Sequence, residues 1–196
     1  AAYVANHFNL LSLYLVVLAI VASYIGFLAL IAVRNLDNYS RLWSKITSYP
    51  FGNIVYDRIV MMQFAPGKSV MNIQTELFSD KKVILKMRQR IWLHNPFKSI
   101  DVGYICSFGE LCAAQLVINL AVQQKRRAIP VGMELKFMKK SRGLMTAIAE
   151  TNTTELITDS TGVCSQKSQL IDEKGDVCAE VITRFQVSDS SSKKRK

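Results

Sequence analysis

One carboxylate in the chain stands where it could act as a base in hydrolysis. Glu110 is the only acidic residue between Asp101 and Glu134, within an apolar run that predicts a helix over 102–124. Gly103 lies seven residues before Glu110, so both lie on the same side of that helix. The free N–H groups of a helix start stabilise a developing oxyanion, and a carboxylate can take a proton from water. The alternative is a structural carboxylate bonded to a neighbouring strand or to a partner subunit.

Histidine and cysteine residues do not form a metal-binding pattern. The four cysteines show neither a CxxC pair nor the spacing of zinc ligands: Cys106, Cys112, Cys164 and Cys178. His94 is the only histidine after the N-terminal apolar segment, so a second imidazole ligand is missing. We therefore expect no metal. Each cysteine lies in an apolar pattern, which is typical of a buried free thiol in a reducing compartment.

Alternating apolar and polar residues predict strands on both sides of the helix. The predicted strands are 69–78, 82–93, 129–137, 144–151, 163–171 and 177–187. In the second of them, the apolar face extends as far as Ile91 and Leu93. The helix is apolar on almost every side and must therefore be enclosed, and Lys125, Arg126 and Arg127 end it. This order predicts an α+β fold, an antiparallel sheet wrapped around one central helix, and excludes a doubly wound fold.

The start of the chain has the composition of a membrane span. Residues 1–33 contain no Lys, Arg, Asp or Glu, and the 24-residue run Leu10–Val33 is almost entirely apolar. At ~1.5 Å per residue this run is long enough to cross a hydrocarbon core of ~30 Å. A cleaved signal peptide is the alternative, but signal peptides have a charged start and a shorter apolar stretch. Arg34, Arg41 and Lys45 follow the run, which predicts that the folded part lies on the cytosolic or matrix side.

Four segments follow from these patterns. Residues 1–36 are a transmembrane anchor, 37–67 a membrane-proximal helix and linker, 68–188 the α+β domain, and 189–196 a basic tail. The helix of the second segment is predicted over 38–49, with Asn38 or Ser40 as its cap. The tail resembles a dilysine retrieval signal of the endoplasmic reticulum, and the mitochondrial inner membrane fits the predicted orientation equally well.

The helix start and its surroundings resemble a known group of enzymes. Gly103 to Ala114 (GYICSFGELCAA), with an Asn-containing loop before it and a KF-type strand and Ser-Arg-Gly turn after it, is similar to the hotdog-fold thioesterase superfamily. The resemblance covers roughly residues 50–187 and is closest to the branch near the phenylacetyl-CoA-type thioesterases. It implies a hotdog fold and the hydrolysis of acyl-CoA or acyl-carrier thioesters, without a cofactor. It also implies dimers or larger assemblies whose active sites lie between subunits.

The same resemblance implies roles for three residues. Glu110 matches the helix carboxylate that activates water or attacks the thioester, Gly103 the oxyanion donor, and Asn95 the loop residue that positions water. These enzymes commonly enter the helix with a His-Gly-Gly type sequence, whereas this chain has Asp101-Val102-Gly103 followed by Tyr104. The signature of catalysis is therefore half present.

The chain is basic, with 25 Lys and Arg against 15 Asp and Glu and a net charge of +10. The candidate contacts to the phosphates of coenzyme A form two clusters: Lys125, Arg126 and Arg127, and Lys139, Lys140 and Arg142. Anionic lipid headgroups and plain solvation of the surface are the alternatives. Nucleic acid is not expected, because no recognition motif accompanies the charge.

Two functions fit these observations. The first is a membrane-anchored thioesterase-like protein that acts on acyl-CoA, as a homodimer or as a heterodimer of two hotdog chains. The second is a catalytically silent hotdog subunit of a larger membrane complex, such as a respiratory assembly. The departure at Asp101–Tyr104 and the short tether to the membrane favour the second.

Overall fold

The chain folds as predicted around one long helix, in a computed structural model that describes residues 2–60 and 65–189. The α-helices are α1 (Ala2–Val33), α2 (Tyr39–Thr47), α3 (Gly52–Val55) and α4 (Val102–Gln123). The strands are β1 (Gln74–Phe78), β2 (Lys82–Arg88), β3 (Arg126–Phe137), β4 (Leu144–Glu150), β5 (Val163–Ile171) and β6 (Val177–Asp189). Short helical turns of other types span Tyr56–Val60, Pro66–Met71 and Ile91–Leu93.

The six strands form one antiparallel sheet in the order β1-β2-β4-β5-β6-β3. Helix α4 packs against β2, β3, β4, β5 and β6, and the residues along most of its length are buried. The predicted fold, an antiparallel sheet around a single enclosed helix, is therefore confirmed. The hairpin predicted at 163–171 and 177–187 also forms, with β6 extending two residues further.

A glycine allows α4 to lie directly on the sheet. A Cβ atom at Gly109 would lie 2.4 Å from Val181 Cγ2, closer than packed side-chain atoms approach, and 3.1 Å from Leu170 Cδ1, which is a tight contact. The carbonyl oxygen of Gly109 accepts a hydrogen bond of 2.8 Å from the buried hydroxyl of Ser168 on β5. These contacts fix the depth of the helix in the sheet, and with it the position of the next residue, Glu110.

Two of the predicted strands are shorter than the alternation indicated. The strand predicted from residue 69 begins only at Gln74, because Pro66 opens a helical turn that ends at Asn72 with a left-handed φ of 50°. The strand predicted to reach residue 93 ends at Arg88. Leu93 is buried as expected, but Ile91 was wrongly placed on the buried face and is exposed in a helical turn.

Strand β3 departs most from its predicted pattern. It begins at Arg126, so Arg126 and Arg127 belong to the strand and not to the helix end, and Lys125 makes the turn with a φ of 56°. A bulge between Pro130 and Gly132 interrupts the alternation. Because β3 is an edge strand, several of its apolar side chains are exposed, namely Ile129, Val131, Met133 and Phe137.

The segment before the sheet belongs to the core of the domain. The predicted helix over 38–49 is α2, and its cap is Asn38, whose Oδ1 accepts a hydrogen bond of 2.7 Å from the N–H of Arg41. Leu42 and Ile46 of α2 are fully buried in the main core together with Tyr56. Within residues 2–60 and 65–189, two helices are apolar and long enough to cross a membrane, Leu11–Ala32 and Val102–Gln123, and the second is the core helix α4, most of whose residues are buried. The predicted basic tail lies almost entirely outside the described residues.

Candidate functional site

The start of α4 is a capped helix end, and one of the N–H groups of its first turn already has a partner. The carboxylate Oδ1 of Asp101 accepts a hydrogen bond of 2.9 Å from the N–H of Gly103. The carbonyl oxygen of Asp101 accepts one of 3.1 Å from Ile105, which opens the helical ladder. An anionic oxygen bound at Gly103 would therefore compete with a carboxylate. Val102 and Tyr104 carry the other N–H groups of this first turn, where helical partners are lacking.

Glu110 is half-buried two turns further along the helix. Seven residues at ~1.5 Å rise separate it from Gly103 by about 10 Å along the axis. Two groups that act directly on one carbonyl group lie ~3 Å from it. Gly103 and Glu110 of one chain therefore cannot both contact the same carbonyl group, although both lie on the predicted side of the helix, and Glu110 would have to act through a water molecule.

Asn95 organises the loop that leads into α4. Its Oδ1 accepts hydrogen bonds from the N–H groups of Phe97 (3.0 Å) and Ser99 (3.2 Å), and from the hydroxyl of Ser99 (3.1 Å). Its own N–H donates to the carbonyl oxygen of Ser99 at 2.9 Å. The loop is closed further by a bridge between His94 and Ile100. The Oδ1 atom of Asn95 thus stabilises the loop by accepting hydrogen bonds from Phe97 and Ser99.

A pocket of about 420 Å³ connects this loop with the helix start and the end of β3. Its lining residues are Asn95, Ser99, Ile100, Val102, Phe137, Met138, Lys139, Lys140 and Ser141. Ser141 is buried, and its hydroxyl has no hydrogen-bond partner among the described residues. An orphan buried hydroxyl is costly, and a polar ligand in this pocket would satisfy it. The sequence predicted only a turn at Ser141 and did not identify it as a candidate binding residue.

The basic residues next to this pocket differ in their availability. Lys139 Nζ lies 2.6 Å from Asp172 Oδ2 and 2.5 Å from Asp176 Oδ2, and these hydrogen bonds raise the pKa of Lys139. Its charge is thus balanced within the domain, which weakens its predicted role as a phosphate contact. Arg142 donates to the carbonyl oxygen of Phe97 at 3.1 Å. Lys140 and Arg142 line a second pocket of about 330 Å³ beside the first.

The other predicted cluster lies elsewhere. Lys125, Arg126 and Arg127 are at the start of β3, whereas Lys139 and Lys140 follow its end. At ~3.3 Å per residue, a strand of 12 residues separates the two clusters by about 40 Å. They do not form one binding site within a single chain.

Two acidic residues that were not candidates from the sequence, Asp57 and Asp80, accept hydrogen bonds within the domain. Asp57 is half-buried, and burial raises its pKa to about 6 even though the N–H of Thr75 donates to both of its oxygens, at 3.1 and 3.2 Å. Asp80 lies in the β1–β2 turn and accepts hydrogen bonds from Ser40, Asn119 and Gln123. Among residues 2–60 and 65–189, no three His, Cys, Asp or Glu side chains are grouped as a metal site.

Comparison with known proteins places this architecture in a family. The sequence pattern described as "Domain of unknown function (DUF4442)" matches residues 52–187, which is more than half of the chain. No curated protein matches the chain by sequence.

Solved structures share the fold at low sequence identity. A Pseudomonas aeruginosa protein, described as of unknown function and a probable thioesterase, is 22% identical with a TM-score of 0.59, covering 67% of this chain and 92% of its own. A thioesterase of Haemophilus influenzae is 12% identical with a TM-score of 0.56, covering 69% and 92%. The PaaI protein of the phenylacetic acid degradation operon of Escherichia coli is 11% identical with a TM-score of 0.54, covering 66% and 89%. These similarities support the hotdog fold predicted from the sequence.

Proposed function

The chain belongs to the family of the domain of unknown function DUF4442, and we propose that its hotdog domain binds acyl-CoA thioesters and hydrolyses them beside a membrane. The pocket at the start of α4 is the observation that carries this proposal. It joins the first turn of the helix, the orphan hydroxyl of Ser141 and the cation of Lys140. Such a pocket offers hydrogen-bond donors to a thioester carbonyl and a positive charge to a phosphate.

The proposed reaction needs a base and a place for the oxyanion. Glu110 accepts a proton from a water molecule, whose oxygen attacks the thioester carbonyl carbon. The N–H groups of the first turn of α4 stabilise the oxyanion, the C–S bond breaks, and the proton held by Glu110 passes to the thiolate. The products are the carboxylic acid and free coenzyme A.

Two copies of the chain would bring together groups that lie far apart in one chain. The edge strand β3 is 12 residues long and exposes apolar side chains, a feature that soluble proteins usually cover. Antiparallel pairing of β3 with β3 of a second copy would bring Lys125, Arg126 and Arg127 of one chain close to Lys140 and Arg142 of the other. A site between subunits would also remove the requirement that Gly103 and Glu110 of one chain act together.

Helix α1 supports the membrane part of the proposal. The side chains of residues 11–23 are all exposed, and few residues of the span Leu11–Ala32 are buried in the domain. An apolar helix of this length that exposes most of its side chains is best accommodated in a bilayer. The basic residues that follow it favour the cytosolic or matrix side for the domain, in the endoplasmic reticulum or the mitochondrial inner membrane.

Release of free thiol from a panel of acyl-CoA compounds tests the proposed activity. The full chain, purified in a mild detergent, should release coenzyme A, and Glu110→Gln should reduce the rate by about 10²-fold or more. Glu155→Gln is the matched control, because Glu155 is an exposed acid in the loop before β5. No release by the unmodified chain with any acyl-CoA would overturn the enzymatic proposal.

A catalytically silent subunit of a membrane complex is the second candidate. The hydrogen bond between the Asp101 carboxylate and the N–H of Gly103 favours it, since this bond occupies a donor that catalysis would use. The bulky Tyr104 beside it also favours the silent subunit. Co-migration with a large complex after extraction in mild detergent would support this candidate, whereas a free dimer with thioesterase activity would exclude it.

A further inference from the structure

Helix α1 has two parts with different surroundings. The side chains of residues 11–23 are all exposed. From residue 24 onwards one face packs on the domain, and its members are the partly or fully buried Tyr24, Leu28, Ile31 and Ala32. Their spacing of four, three and one places them on a single helical stripe. On the other faces of the same stretch, Ile25, Phe27 and Leu30 remain exposed.

Side-chain contacts hold this second part against α2 and the turn after it. The hydroxyl of Tyr24 donates to the carbonyl oxygen of Pro50, and the rings of Phe27 and Tyr49 meet edge-on with centroids 5.2 Å apart. Near the C-terminal end of α1, Lys45 Nζ donates to Asn35 Oδ1 at 2.9 Å. Helix α1 therefore runs back along α2 and leaves the domain beside residues 49–50.

The start of α2 is attached in turn to the central helix. The N–H of Ser40 donates to Asn119 Oδ1 at 3.1 Å. The hydroxyl of Ser40 and the Nδ2 of Asn119 both donate to Asp80, the latter at 3.0 Å. Because α1 packs on α2 and α2 is bonded to α4, the apolar helix is joined to the domain by direct packing and not by a free linker.

Apolar residues are exposed at the place where α1 leaves the domain. Phe51 is 75% exposed and Ile54 is 59% exposed, next to Tyr49. Phe51 has a left-handed φ of 58°, which a bulky side chain adopts only at a cost. The next residue has to be a glycine, since a Cβ at Gly52 would lie 1.8 Å from the carbonyl oxygen of Ile46. The fold thus projects an aromatic ring into the surroundings, with three-quarters of the residue exposed.

We propose that Tyr49, Phe51 and Ile54 form a lipid-contacting collar that sinks into the interface of the bilayer crossed by α1. This inference rests on the proposed anchor. The ring of Tyr49 in the collar contacts Phe27 of α1, so the collar and the exposed face of α1 meet at this pair of rings. Helix α1 has 32 residues, or about 48 Å, against a hydrocarbon core of ~30 Å. Residues 2–23 alone, at about 33 Å, are long enough to cross that core. The crossing would then begin earlier in the chain than in the predicted span Leu10–Val33, and the packed part and the collar would lie at the headgroup level.

A bilayer fits the collar better than a second protein chain. Aromatic and branched apolar side chains beside a membrane helix are the residues that enter the region between headgroups and acyl chains. The domain would then be seated on the membrane in one orientation, which a flexible tether would not impose.

Depth-dependent quenching of a fluorophore tests the collar in the full chain. Single cysteines introduced by Phe51→Cys or Ile54→Cys are labelled with the environment-sensitive dye NBD, in a Cys106→Ser background because the other three cysteines are buried. The protein is reconstituted in vesicles of phosphatidylcholine and phosphatidylglycerol with brominated acyl chains. Two matched positions are labelled in the same way: Leu15→Cys within α1, and Ile157→Cys, an exposed position in the loop before β5.

The collar predicts that dyes at 51 and 54 lose most of their emission, as the dye at 15 does, whereas the dye at 157 is unaffected. Quenching at 15 with emission at 51 and 54 equal to that at 157 would overturn the collar and leave the anchor standing. No quenching at 15 would overturn the anchor and the collar with it. Shielding of 51 and 54 from aqueous iodide without quenching by the brominated lipid would show that protein covers the collar, and would also overturn the inference.

Discussion

Introducing one methyl group at Gly109 should destabilise the domain by pushing α4 off the sheet. The new Cβ would lie 2.4 Å from Val181 Cγ2 and 2.8 Å from Val181 Cβ, and Val181 is fully buried in a central part of β6. The helix and the strand would have to move apart by about 1 Å to accept the new Cβ. Overpacking of this kind costs up to ~3 kcal/mol. Alanine is favoured over glycine in a helix by ~1 kcal/mol, so we expect a net loss of ~2 kcal/mol for Gly109→Ala.

A double-mutant cycle isolates the contact. For a chain of this size, a loss of ~2 kcal/mol in the free energy of unfolding lowers Tm by about 4–8 °C. Circular dichroism in mild detergent resolves a change of this size. Val181→Ala alone should cost ~2 kcal/mol through lost burial. In the double mutant the new methyl group fills part of the vacated space, so the combined loss should fall short of the sum by ~1 kcal/mol or more. A strictly additive result, or no loss for Gly109→Ala, would refute the close approach of α4 to β6.

Two further predictions address the charge of Asp57 and the edge of the sheet. Burial raises the pKa of Asp57 to about 6, so the unfolded chain ionises first and the carboxyl lowers stability as pH rises from about 4 to 6. Asp57→Asn should therefore raise the free energy of unfolding at pH 7 by ~1–2 kcal/mol, after allowance for solvent screening, and Tm should rise with it. Near pH 4 the substitution should leave Tm unchanged. Equal shifts of Tm at both pH values would contradict this. If two copies pair along β3, Val131→Lys should convert the dimer to a monomer in light scattering, whereas Ile157→Lys should not, and a dimer that persists in both variants would exclude this pairing.

Much of the fold could be predicted because its signals are local. The apolar run of α4, the Asn38 cap of α2 and the turn between β5 and β6 each lie within a few neighbouring residues. The errors arose where position in the sheet overrides the local pattern. The apolar residues of β3 alternate like those of a buried strand, but β3 lies at the edge of the sheet that the described residues form, so residues such as Val131 are exposed.

The candidate site was predictable in residue type more than in arrangement. Lys139 could be named as a cation from the sequence, but its neutralisation depends on Asp172 and Asp176, more than thirty residues away. The orphan hydroxyl of Ser141 is likewise a property of packing, since a serine in a turn ordinarily meets water. Spacing placed Glu110 on the same side of α4 as Gly103, but the distance between them matters only once a substrate is considered.

Binding of a non-hydrolysable thioether analogue of acyl-CoA to the full chain tests the pocket at the start of α4 most directly, since binding does not require turnover. Calorimetry should show saturable binding with one analogue for each chain. Val102→Trp should weaken it by about tenfold or more, because Val102 is exposed at the mouth of the pocket and an indole would fill the space. The control Ile157→Trp should bind like the unmodified chain. No binding by the unmodified chain, or binding that Val102→Trp leaves unchanged, would contradict the account.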